Sequence, residues 1–119
     1  MAAAAEAFAL ARGWTVAIAV VDSSGGLILL HCLDDTQPAS QAIAAEKARS
    51  AARLRRPTKA LEDAIAGGRV AFLSVGAVML GGGLPVRVNG QVVGAIGVSG
   101  MTSSEDAEVA EVGLQAFQV

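Results

Sequence analysis

The sequence contains no tyrosine, one tryptophan and three phenylalanines, so aromatic residues make up only 3% of its 119 residues. Proteins that bind single-stranded nucleic acid stack bases on aromatic side chains and contact phosphates with Lys and Arg. The formal net charge is −2, with an isoelectric point near 5.2, so there is no excess positive charge to attract a phosphate backbone. We therefore expect no nucleic-acid partner.

Cysteine and histidine are equally scarce, with one residue of each, Cys32 and His31. One cysteine excludes an intrachain disulfide and is typical of a reducing compartment, which predicts a cytoplasmic protein. One histidine excludes a histidine-rich metal site or a bis-histidine haem site within a single chain, and we predict no metal site. His31 itself is interpreted either as a single axial ligand or acid–base group, or, preferably, as a solvent-facing strand residue.

Long apolar runs are also absent, because Gly, Pro or charged residues interrupt every run well short of a membrane span, and we predict no membrane segment. Apolar residues nevertheless make up 53% of the chain. Such a content in one small domain, residues 1–119, predicts self-association.

The order of the elements predicts an α+β domain with an antiparallel sheet. Helical patterns cover residues 2–12, 39–54, 58–66 and a last segment from 102 onward. Thr58 is the expected cap of the third helix, and Ser103 or Ser104 is the expected cap of the last. Strand patterns cover residues 15–22, 27–33, 84–88 and 91–99, and Asn89-Gly90 is typical of a type I′ hairpin turn. The segment 69–80 fits a strand or a loop.

Half of the glycines fall in one stretch, "GGGLPVRVNGQVVGAIGVSG", at residues 81–100. No Lys follows a glycine as a phosphate-binding P-loop requires, and the spacing does not match a dinucleotide-binding fingerprint. We interpret the glycines as positions of close backbone approach. The start of the last helix, with the Ser99 and Thr102 hydroxyls, could instead receive a carboxylate; a tight turn with close helix packing is the preferred alternative.

Glu46 and Lys47 lie in the middle of a predicted helix among small residues. Adjacent helical positions diverge by about 100°, so at most one of the two faces the sheet. A lysine among Ala44, Ala48 and Ala51 could bind a carboxylate or transfer protons. A solvated lysine paired with a neighbouring acid is an equally weighted alternative.

Three segments together resemble one known family: "VAIAVVDSSGGLILL", "AAEKARSAARLRRPT" and "GGGLPVRVNGQVVGAIGVSGMTSSED". They are similar to the GlcG/HbpS-like, or haem-degrading domain, family from Trp14 onward. The resemblance implies a profilin-like fold with a five-stranded antiparallel sheet and helices packed on both faces. It also implies homo-oligomers, as dimers, tetramers or octamers. Relatives have about another dozen residues before the first helix, so we expect that helix to be truncated here.

The resemblance implies two functions and leaves both open. One is a lyase acting on a small aromatic or short carboxylic acid with release of ammonia, similar to hydroxylaminobenzoate lyase; the other is a haem- or corrinoid-binding protein without turnover. A structural assembly partner is a third interpretation. The lyase hypothesis assigns proton transfer to Lys47 and Glu46. Ligand binding is assigned to Gly82, Gly83, Ser99, Gly100 and His31, and axial haem ligation to His31, Cys32 or Met101. Many relatives carry Arg-Met-Asp-Gly where this chain has "CLDD", residues 32–35, which puts an anion site built on that arginine in doubt.

Overall fold

The computed structural model describes residues 1–118 as four α-helices, one 3₁₀ helix and four strands. The helices are α1 (Ala2–Arg12), α2 (Ala39–Leu54), α3 (Thr58–Ala66) and α4 (Ser103–Gln115), and the 3₁₀ helix spans Val70–Val75. The strands are β1 (Ala17–Asp22), β2 (Leu27–Cys32), β3 (Gly83–Val88) and β4 (Gln91–Ser99). The predicted α+β class is confirmed.

The four strands form one antiparallel sheet in the order β2-β1-β4-β3. The prediction of five strands is wrong for the described residues, because the segment that could have supplied another strand forms the 3₁₀ helix instead. Gly76 follows that helix with a φ of 77°, a left-handed conformation that interrupts an extended strand. The turn between β3 and β4 has positive φ at both Asn89 and Gly90, as a type I′ hairpin requires.

Helices cover both faces of the sheet, as expected. Side chains alternate along β1, so Ala17, Ala19 and Val21 face α2, whereas Ile18 and Val20 face α1 and α4. On the α2 side the core consists almost entirely of alanines, which lets the helix lie close to the sheet. Gly97 makes this approach possible, since a Cβ there would overlap the carbonyl oxygen of Ala44.

The helix ends follow from local chemistry. Gly13 ends α1 in a left-handed conformation with φ 70°, and its amide donates to the carbonyl of Leu10. At α4 the predicted caps, Ser103 and Ser104, are wrong by one or two positions. Thr102 is the cap and forms a capping box with Glu105, because the side chain of each accepts the backbone N–H of the other. Similarly, Thr58 is not the cap of α3 but its first residue, preceded by Pro57.

Candidate functional site

A buried ion pair joins α2 to α4. The ammonium Nζ of Lys47 donates to Oδ2 of Asp106 and to the carbonyl oxygen of Val98, both at 3.0 Å. The two side chains are only 3% and 2% exposed. Of the two adjacent candidates on α2, the helix therefore turns Lys47 inward.

Glu46, the second residue assigned to proton transfer, is not brought to this pair. Its carboxylate lies on the outer side of α2, 45% exposed, and pairs with the guanidinium of Arg49 one turn later. The carboxylate that lies beside Lys47 is that of Asp106. In the sequence, Asp106 was recognisable only as an acidic residue in the first turn of a helix, where the helix dipole favours it.

The glycine run makes room for the ion pair. Gly82 has a φ of 130°, and a Cβ there would lie 3.0 Å from Nζ of Lys47 and 3.1 Å from Cβ of Asp106. It would also overlap the carbonyl oxygen of Val98. At Gly83 a Cβ would overlap the backbone carbonyl of Lys47. Both glycines therefore lie against Lys47, and at Gly82 the space left by the missing side chain is bordered by Lys47 and Asp106.

The start of α4 carries its own acceptors. The second oxygen of Asp106 accepts the amide of Met101 at 2.9 Å, and Thr102 and Glu105 satisfy each other's amides. Ser99 is 5% exposed and opposite Ala17 in the sheet, while Gly100, with a φ of 148°, lies against the backbone of Thr15. Three of the amides at this helix start, those of Met101, Thr102 and Glu105, are thus bonded to the protein's own side chains.

The carboxylate of Glu62 on α3 forms a set of hydrogen bonds that the sequence did not reveal. Its Oε1 accepts the amide of Gly81 at 2.7 Å, and its Oε2 accepts from the Ser103 hydroxyl at 3.1 Å and from Lys59 at 3.3 Å. The Gly81 amide, followed by the Ser103 hydroxyl and Lys59, lowers the pKa of the Glu62 carboxyl below its usual value. No sequence motif could have indicated the contacts with Gly81 and Ser103, because these two partners lie 19 and 41 residues away.

An open cleft of about 410 Å³ lies between α1 and the end of β2. Its lining includes the apolar side chains of Leu10, Trp14 and Leu33, together with Glu6 and Cys32. His31 lies next to this cleft on the edge strand β2, where its Nδ1 is 3.3 Å from Oε2 of Glu6. The imidazole is 47% exposed, which agrees with the interpretation of His31 as a solvent-facing strand residue. It lies apart from the Lys47–Asp106 pair.

Two further observations concern the described part of the chain. Residues 1–118 contain no group of three or more His, Cys, Asp or Glu side chains arranged to hold a metal ion. No helix within that range is both long enough and apolar enough to cross a bilayer.

Sequence comparison decides the family. The profile of the family described as "Haem degrading protein HbpS-like" matches residues 1–115. The chain belongs to the HbpS-like family. Protein GlcG of Escherichia coli K12 is 46% identical over 98 residues, which cover 82% of this chain and 73% of GlcG. The resemblance to the GlcG/HbpS-like family is thereby confirmed.

Solved structures of the family have the same fold. A double mutant of HbpS from Streptomyces reticuli is 31% identical and superposes with a TM-score of 0.90, covering 99% of this chain and 82% of HbpS. A crystal structure of a PduOC:haem complex is 26% identical, with a TM-score of 0.88 over 99% of this chain and 89% of that one. Haem is therefore present in a solved structure of the same fold.

Proposed function

We propose that this protein binds haem at the cleft between α1 and β2, with His31 as the axial ligand. The observation that carries the proposal is the contact between Nδ1 of His31 and Oε2 of Glu6, a residue that lines this cleft. Histidines that ligate metals commonly donate their other ring N–H to a carboxylate, which fixes the tautomer and orients the ring. In this arrangement Nε2 is the nitrogen left to ligate iron.

The walls of the cleft fit the same ligand. Leu10, Trp14 and Leu33 offer apolar and aromatic surface to a porphyrin, and the exposed Cys32 places a thiol in the lining. Haem-containing and haem-degrading relatives support the proposal at the level of the family. Bound haem would supply an iron centre capable of redox chemistry; the protein's part is to hold the porphyrin and orient the imidazole.

A haem titration followed by absorbance tests the proposal. We expect a saturable Soret shift at stoichiometric haem, together with quenching of the fluorescence of Trp14, the only tryptophan. His31→Ala should weaken binding at least tenfold, since it removes the iron–nitrogen bond. Met101→Leu is the matched control, because Met101 packs in the core and does not line the cleft. An unchanged Soret band in His31→Ala would contradict the assignment of the ligand, and an absent shift would overturn haem binding.

A lyase acting on a small aromatic or short carboxylic acid is the second candidate, favoured by the buried Lys47 ammonium. Of its three N–H donors, two have acceptors within residues 1–118, Asp106 and Val98, and the third donates to no other group there. The test is release of ammonia from 4-hydroxylaminobenzoate by the unmodified protein. Turnover that survives Asp106→Asn but not Lys47→Gln supports the lysine's role, and no release of ammonia overturns this candidate.

We also propose that the protein is a homo-oligomer, as a dimer, tetramer or octamer. Large apolar side chains are exposed on the segment around the 3₁₀ helix and on β2, among them Leu73 at 67%, Val70 at 64% and Ile28 at 63%. Such surface is usually covered in an assembly. Sedimentation equilibrium tests the proposal, and a monomer at concentrations of about 100 μM would contradict it.

A further inference from the structure

A second cavity lies between the C-terminal half of α2 and the chain that follows the 3₁₀ helix. It has a volume of about 170 Å³. A water molecule takes up about 30 Å³ in the liquid, so the cavity has room for about five waters or an organic ion of similar size. The residues that matter for its chemistry are Glu46, Arg49, Ser50 and Arg53 on α2, with Val75 and Gly76 opposite.

The two arginines are held in place by the β1–β2 turn. Nε of Arg49 donates to the carbonyl of Gly25, and Nε of Arg53 donates to the carbonyl of Ser24, both at 3.0 Å. Nη1 of Arg49 pairs with Glu46. A guanidinium has five N–H donors, and within residues 1–118 the two terminal nitrogens of Arg53 and Nη2 of Arg49 donate to no other group. Both guanidinium groups are thus anchored and still have donors to offer.

Ser50 adds a buried hydroxyl to the same cavity. The residue is only 4% exposed, and it lines the cavity beside the two arginines. A serine hydroxyl has one donor and two acceptor lone pairs, so it can hydrogen-bond to an oxyanion in the cavity.

The charges determine which occupant fits. Two guanidinium groups and the Glu46 carboxylate leave one net positive charge around the cavity, although the whole chain carries −2. Guanidinium groups bind carboxylate and phosphate oxygens with two parallel hydrogen bonds. We propose that this cavity binds a small oxyanion, a short carboxylate or inorganic phosphate, between the terminal nitrogens of Arg53 and the hydroxyl of Ser50. The site is separate from the haem cleft and independent of it.

Titrations of the ¹⁵N-labelled protein, followed by NMR, test this site. Acetate and inorganic phosphate are added separately at constant ionic strength. We expect saturable shifts of the Ser50 and Gly76 amide signals. The anion that binds with the lower dissociation constant shows whether the site prefers a carboxylate or a phosphate. Arg53→Gln should weaken binding at least tenfold, because a charge-assisted hydrogen bond contributes on the order of that factor. Ser50→Ala should weaken binding severalfold.

Arg56→Gln is the matched control. It removes the same charge from the same region, but Arg56 donates to the Leu54 carbonyl and does not line the cavity, so the dissociation constant should change less than twofold. If Arg53→Gln does not fold, as judged by circular dichroism, Ser50→Ala decides the question. Shifts that rise linearly without saturation, or that Arg56→Gln reduces as much as Arg53→Gln, would overturn the proposal.

Discussion

Lys47 and Asp106 approach to 3.0 Å across the end of the sheet, from helices that lie on opposite faces of it. The pair therefore connects the α2 layer to the α4 layer next to Gly82, where the chain enters β3. Charges this deeply buried lose their hydration, and they are tolerated because each has protein partners. Lys47 has the carboxylate and the Val98 carbonyl, and Asp106 has the lysine and the Met101 amide.

Removing one half of this pair should be costly. Lys47→Met keeps the length and apolar stem of the side chain but leaves the Asp106 carboxylate buried without its counter-ion. We expect the free energy of unfolding to fall by about 3–5 kcal/mol, the range for a broken buried ion pair. Urea denaturation monitored by circular dichroism measures this loss.

Lys59→Met is the control for loss of a lysine. Lys59 pairs with Glu62 and Asp63, and its side chain is 39% exposed, so the expected loss is at most about 1 kcal/mol. Equal losses in the two variants would contradict a special role for the buried pair.

Gly82→Ala should destabilise the protein through both conformation and contact. Its φ of 130° is unfavourable for alanine, and the new methyl group would overlap the Val98 carbonyl and press on Lys47. Gly68→Ala separates the two effects, because Gly68 has a similar φ of 113° but no atom lies within 4 Å of the position that its methyl group would take. We expect Gly82→Ala to lower the free energy of unfolding by about 1–3 kcal/mol more than Gly68→Ala does. Similar losses in urea denaturation would show that backbone conformation alone accounts for the glycine.

Much of the fold was predictable because its signals are local. The continuous apolar, β-branched run of β1, the Asn89-Gly90 turn and the stop at Gly13 each depend on neighbouring residues. The fifth strand, which the family resemblance implied, is absent from the described residues. The segment 70–75, which fits a strand or a loop by sequence, forms one short 3₁₀ helix that ends at the left-handed Gly76. The cap of α4 was misplaced because Thr102, Ser103 and Ser104 are chemically similar, and only Thr102 has a glutamate three residues later.

The candidate site was predictable only in part. Small residues around Lys47 indicated that it could face inward, and the glycines indicated close approach. The partner Asp106 is 59 residues away, and no local pattern specifies which acid a buried lysine meets. The same holds for Glu62 and Gly81, and for the two arginines that hold the β1–β2 turn. Contacts of this kind depend on how α2, α3 and α4 dock on the sheet.

Glu62 should make stability depend on pH in acid. Its folded-state pKa is lowered from the ordinary value of 4.5, mainly by the Gly81 amide, so folding favours the carboxylate. The stabilisation is therefore fully present above the unfolded-state value and is lost as the pH falls through the folded-state pKa below it. We expect Glu62→Gln to reduce the difference in unfolding free energy between about pH 6 and about pH 3, measured by urea denaturation.

Glu108→Gln is the matched control for this experiment, because Glu108 is exposed on α4 and lies outside the Glu62 hydrogen-bond network. Its pH dependence should follow that of the unmodified protein. If Glu62→Gln loses stability in acid as steeply as the unmodified protein does, the interactions with Gly81, Ser103 and Lys59 are not the source of the effect.

The capping box at α4 gives a last prediction, and it tests the correction to the predicted cap. Thr102→Ala removes the oxygen that accepts the Glu105 amide at 3.2 Å, and Glu105 loses its hydroxyl partner at 2.9 Å. We expect a loss of about 1 kcal/mol in the free energy of unfolding, the usual cost of deleting a threonine cap. Ser104→Ala, in the same turn but exposed and without a capping bond, should change it by less than about 0.5 kcal/mol. Thermal and urea denaturation of both variants measure the difference, and a larger loss in Ser104→Ala would return the cap to the position expected from the sequence.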